Sequence, residues 1–176
     1  MERKILNNAM LYSSAAWILN RNSSGLGYQD RCNRIPSQVL AAFSLELYFK
    51  ALFYILNGED FRSNNRRSHN ISKIFNSLEN SLQQKMESNF DLILRRNKLP
   101  DSLPLKKKIK TSIPRDLKSN LKARSKILNS FRHPYELENE NDLLQIWFSR
   151  EIEEVVKDTI FEIKPELREN RTSEIF

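Results

Sequence analysis

The sequence predicts an all-α protein, an up-and-down bundle of four to five helices. Three observations carry this. Apolar residues recur at three- and four-residue spacing over long stretches, the pattern of one buried helical face. Only 3 Gly and 6 Pro punctuate 176 residues, too few for the many tight turns of a sandwich or barrel. The 39% hydrophobic content over this length suffices for one core without covalent staples. The expected organisation is a single domain over residues 1–165, with a basic Pro/Lys loop at about 97–114 and a polar tail at 166–176.

The first helix is expected over residues 5–21, ending before Asn22-Ser23-Ser24-Gly25. Arg3 and Lys4 ahead of an apolar stretch imitate a secretion signal. The stretch is short, contains Ser13 and Ser14, and lacks a small-residue cleavage site. A second helix is expected over 36–57, with Pro36 in its first turn and Gly58 at its C-terminal stop. It is apolar nearly all round, so it is central in a bundle or covered on one side by a second subunit. Glu46 and Lys50 interrupt it, which argues against a membrane span, since each costs roughly 2.5–3.5 kcal/mol at a bilayer centre on insertion scales. Spaced i, i+4 with the acid first, they read as an exposed ion pair beside a groove.

The third helix, about 70–96, carries a stripe of Ile71, Ile74, Phe75, Leu78, Leu82, Met86, Phe90 and Ile93. Pro100, Pro104 and Pro114 then break the chain. A fourth helix is expected over about 115–131, ending at His133-Pro134 because a residue before proline is pushed out of helical geometry. The last helix covers about 141–163.

Composition narrows the function. Three glycines assemble neither a Rossmann nor a P-loop fingerprint. One cysteine, Cys32, excludes an internal disulfide, and with two histidines it excludes a thiolate or multi-histidine zinc site. No cofactor is expected, and no glycine-flanked serine suggests a triad. Net charge is +7, unevenly spread. Residues 95–115 hold eight bases against one acid, residues 116–135 five against one, and residues 136–176 twelve acids against five bases. A basic middle of this kind faces a polyanion, or else keeps a loop soluble. Phosphate-contact candidates are Lys106, Lys107, Lys108, Lys110, Arg115 and Arg124.

Metal-independent RNA cleavage needs little more than a histidine to move the 2′-OH proton and an arginine to stabilise the phosphorane. Two places combine them: Arg62 to His69 before the third helix, and Arg132-His133 after the fourth. The catalytic candidates are Arg132, His133, Tyr135 and Glu136. Glu46, Lys50 and His69 are candidates for a groove, His69 also reading as a capping or core-edge residue.

Three blocks together resemble a known family. They are Ser44-Leu45-Glu46-Leu47-Tyr48-Phe49-Lys50-Ala51-Leu52, then His69-Asn70-Ile71-Ser72-Lys73-Ile74-Phe75, then Phe131-Arg132-His133-Pro134-Tyr135-Glu136. In order and spacing they look like the HEPN superfamily, the higher eukaryotes and prokaryotes nucleotide-binding domains. The resemblance implies a four- or five-helix bundle, a homodimer, and a role in toxin–antitoxin pairs, phage defence or RNA processing; the expected location, from composition, is the cytoplasm. A cognate antitoxin or defence partner is implied as well. Active members carry Arg-x4–6-His; here Arg132 and His133 are adjacent, a departure that points to RNA binding with degenerate catalysis.

Overall fold

The computed structural model describes residues 1–21, 28–63, 66–67, 69–97, 115–130 and 149–168. Its helices are α1 (Glu2–Arg21), α2 (Tyr28–Asn57), α3 (Ile71–Asn76), α4 (Asn80–Arg96), α5 (Leu117–Ser130) and α6 (Ser149–Ile163), with a two-residue hairpin, β1 (Arg62–Ser63) and β2 (Arg66–Arg67), between α2 and α3. The protein is an all-α bundle. Helix α2 is its axle, packing against α1, α3, α5 and α6.

The α1–α2 contact is close because small residues line it. Ala9, Ala42 and Ser44 are buried, and the Ser44 hydroxyl donates to the Ala9 carbonyl at 2.9 Å. A larger side chain at Ala9 would separate the two backbones. Helix α2 ends at Gly58, which takes the left-handed conformation (φ 74°) while its N–H donates to the Tyr54 carbonyl. Glycine adopts that conformation without the Cβ clash of other residues. At its other end α2 begins eight residues before Pro36, which lies inside the helix rather than in its first turn. Residues 28–35 contain no breaker, so the helix tolerates the missing N–H of one proline.

The hairpin pairs Arg62 with Arg67 and Ser63 with Arg66. Phe61, just before it, meets Phe53 of α2 edge-on at 5.1 Å between centroids, which ties the hairpin to the axle. The expected third helix is two helices, broken at residues 77–79. Asn70 caps α3, its side chain accepting from the Lys73 N–H at 3.0 Å. The Gln83 side chain donates to the carbonyls of Leu78 (2.7 Å) and Asn76 (3.4 Å), so carbonyls freed by the break find a donor. The apolar stripe survives the break: Ile71, Ile74, Phe75, Leu78, Met86, Phe90 and Ile93 are all buried. Phe75 meets Phe49 of α2 edge-on at 6.2 Å. Fully burying such a side chain is worth about 1.5–3 kcal/mol.

Asp116 caps α5, its carboxylate accepting the Ser119 N–H at 2.7 Å. It buries Leu117 and Leu121, and Ser125 Oγ accepts the Ser72 N–H at 3.1 Å, joining α5 to the first turn of α3. Helix α6 buries Ile152, Val155, Val156 and Ile160. A short 3-10 turn, Pro165–Leu167, packs Leu167 against the core, and Arg168 lies over the Phe161 ring. The folded body therefore includes residues 166–168, which the sequence reading assigns to the tail.

Candidate functional site

Helix α2 and the segment before α3 bring Glu46, Lys50 and His69 together. One turn apart on α2, Glu46 and Lys50 pair through Oε1 and Nζ at 2.5 Å. The same Oε1 lies 2.8 Å from Nδ1 of His69. The arrangement differs from the exposed pair expected from i, i+4 spacing. The Glu46 side chain is only 4% exposed, Lys50 is 22% exposed and His69 is 43% exposed. Glu46 sits on the core side of α2, with Leu45, Phe49 and Leu52 as buried neighbours on the helix. Its second oxygen, Oε2, is buried and has no hydrogen-bond partner among the described residues. Leaving a buried acceptor unpaired costs about 1–3 kcal/mol, more for a charged group.

Helix α5 is held to α3 by the Ser72–Ser125 bond, three residues beyond His69. On its outer surface α5 exposes Lys118 and Lys122, and Lys118 pairs with Glu87 of α4 at 3.3 Å. Arg115, one of the phosphate-contact candidates, is exposed just ahead of the helix. Arg124 is not part of that surface. It is fully buried, donating to the Asn120 carbonyl at 3.4 Å and to Ser149 Oγ at 3.0 Å, and so links α5 to the start of α6. Burial pushes its guanidinium down to about 9, opposed by the charge of Glu151. It remains a cation at neutral pH, but one turned inward. The error comes from counting charge along the chain: on α5, Arg124 shares the face of Leu117 and Leu121, while Lys118 and Lys122 point away.

A second polar cluster escaped the sequence reading, which places Glu151, Glu153 and Glu154 on a charged outer face. The Glu153 side chain is 15% exposed and its carboxylate is shared by three helices. Its Oε2 accepts from Ser13 Oγ at 2.6 Å, and its Oε1 from Tyr48 Oη at 3.2 Å and Lys157 Nζ at 2.5 Å. Lys157 also lies 5.3 Å over the Tyr48 ring. The available signal was Glu153 directly following the apolar position Ile152, with Lys157 at i+4 to pair with it. The cluster lines a groove of about 1460 Å³ between α1, α2, α4 and α6, with Trp17, Arg96 and Glu154 among its other walls. Arg96 and Glu154 are paired across the groove.

The remaining candidates, Lys106, Lys107, Lys108, Lys110, Arg132, His133, Tyr135 and Glu136, lie outside the described residues. Comparison with protein-family models, with curated proteins and with solved structures finds no match to this chain.

Proposed function

We propose that the chain is a HEPN-like RNA-binding domain, dimeric and catalytically degenerate, working in the cytoplasm in a toxin–antitoxin or phage-defence setting. The observation that carries this reading is the charge of residues 95–135, thirteen bases against two acids in a protein whose whole excess is +7. Phosphodiester binding draws on such an excess through counterion release. The all-α bundle supports the reading, as does a carboxylate-bound histidine three residues before Ser72, whose N–H is held by α5 of that basic segment. Helix Pro36–Asn57 is long and apolar enough to cross a membrane, yet its middle carries the Glu46–Lys50 pair, so we assign the protein to no membrane.

A second reading, an active metal-independent endoribonuclease, is favoured by the Arg132-His133 pair directly after the basic helix. In it His133 moves the 2′-OH proton, Arg132 clamps the phosphate, and Tyr135 and Glu136 assist. Incubating the purified protein with structured RNA in EDTA separates the readings. The expected result is a salt-sensitive mobility shift without cleavage. Cleavage that His133→Ala abolishes would establish the enzyme, and no shift at all would leave an oligomerisation or adaptor module.

The dimer is assigned to an apolar surface of α1 and α2. Leu11 and Ile18, two turns apart on α1, are exposed, and Tyr12 tilts onto the exposed Phe43 at 6.3 Å. Apolar groups of this size left in water mark an interface. Light scattering at tens of micromolar is expected to give twice the chain mass, and Phe43→Glu to give a folded monomer. A monomeric wild type defeats the assignment.

A further inference from the structure

The geometry points to His69 as a reader of the ribose 2′-hydroxyl, with Glu46 as the positioning residue that sets its tautomer. This rests on the RNA-binding reading and names the part of the nucleotide that is recognised. The Glu46 carboxylate pairs with the Lys50 ammonium and so offers only acceptors. The nitrogen of His69 that faces it at 2.8 Å, Nδ1, is therefore the one that carries hydrogen. In the neutral ring, Nε2 is then an acceptor at the opposite edge.

Two features separate this cluster from a simple tie between α2 and α3. Among the described residues both donors converge on Glu46 Oε1 while the buried Oε2 receives none, a wasteful arrangement if hydrogen bonding were its whole purpose. The ring also runs from the interior to the surface: its carboxylate partner is buried, and 43% of its own side chain is exposed.

The elements that flank His69 in the fold carry what a neutral acceptor lacks: Arg62 on β1, Lys73 in the first turn of α3 and Lys122 on α5 are all exposed. Lys122 lies one turn before Ser125, which holds the Ser72 N–H three residues beyond His69. Such cations take phosphates of either RNA or DNA and fix the strand without distinguishing them. The 2′-hydroxyl is the donor that RNA has and DNA lacks, and an acceptor held at that position selects between the two.

The test uses the full chain and two labelled oligonucleotides of the same uridine-rich sequence, one ribo and one 2′-deoxy. Wild type is expected to prefer the ribo strand by about fivefold, the worth of one net hydrogen bond. His69→Ala is expected to bind both strands at the wild-type affinity for the deoxy strand. The positioning role is read from 15N-histidine spectra of the wild type, which contains only two histidines. They are expected to show the Nδ1–H tautomer for His69 and a shift of its Nε2 resonance when the ribo strand is added. Glu46→Leu, which removes the acceptor facing Nδ1, is expected to lose the tautomer signature and the sugar preference together, whereas Glu46→Gln, which keeps an acceptor oxygen, is expected to retain both. Equal wild-type affinity for the two strands, or an Nε2–H tautomer at His69, overturns the inference and leaves RNA binding standing. Binding of neither strand overturns both.

Discussion

Replacing Glu153 by alanine is expected to lower the unfolding free energy by about 3 kcal/mol, near the lower end of what removing one partner of a buried ion pair costs. The Glu153 carboxylate ties α6 to Ser13 of α1 and to Tyr48 of α2, and it neutralises Lys157. Truncation takes an acceptor from the Tyr48 hydroxyl in the core and leaves a 22%-exposed ammonium without its counter-charge. For a chain of this length, that loss corresponds to a fall in Tm of roughly 6–12 °C. Glu153→Gln keeps an oxygen for Tyr48 or Ser13 and loses the charge, so about 1–2 kcal/mol is expected, mostly from Lys157. Urea unfolding measures both, with an unchanged m-value showing that the native and unfolded ensembles are comparable. A Glu153→Ala protein within 0.5 kcal/mol of wild type would mean that the cluster is solvated and contributes nothing.

Glu153 also shows where sequence reasoning stops. The apolar periodicity of α6 locates Ile152, Val155, Val156 and Ile160 correctly because each is simply more stable out of water. Glu153 is half-buried for a different reason: Ser13 and Tyr48, on two other helices, supply the hydrogen bonds that offset its desolvation. No window along one helix contains those partners. Arg124 is a related case of opposite sign, a cation on the Leu117 and Leu121 face held inward by Asn120 of its own helix and Ser149 of α6, while charge counting places it with Lys122 outside. The break at residues 77–79 is hidden because the buried stripe continues through it and no glycine or proline marks it. Gly58, by contrast, is legible because a left-handed stop is a local property of one residue.

Within the site, the residues were legible and their roles were not. Glu46, Lys50 and His69 stand out as polar groups beside apolar runs, and the fold brings all three into one network. Spacing alone favours an exposed Glu46–Lys50 pair worth about 0.3–0.5 kcal/mol. Burial changes that arithmetic. The pair sits where Coulomb attraction is stronger and desolvation dearer, and the third member, His69, arrives from 23 residues away in sequence. That long-range contact turns two helix neighbours into a candidate functional site, and only the tertiary structure supplies it.

The largest functional effect is expected when Lys106, Lys107, Lys108 and Lys110 are all replaced by glutamine. Each phosphate contact on a single strand contributes about 0.7 to the fall of log affinity with log salt, so four contacts contribute up to roughly 3. The variant should bind RNA with a slope flatter by that amount and should weaken toward all sequences alike, because phosphate contacts do not read bases. Two described cations of the same basic segment supply less: Arg96 is paired with Glu154 and Lys118 with Glu87, so their counter-charges already lie on the protein. Arg124→Leu provides the internal contrast. As a fully buried guanidinium it releases no counterion on binding, so any folded fraction of that variant keeps the wild-type slope even if its Tm falls. Fluorescence anisotropy at several salt concentrations reads both variants. An unchanged slope in the quadruple variant would show that those lysines only solubilise a surface and would move the phosphate contacts to other cations of the chain.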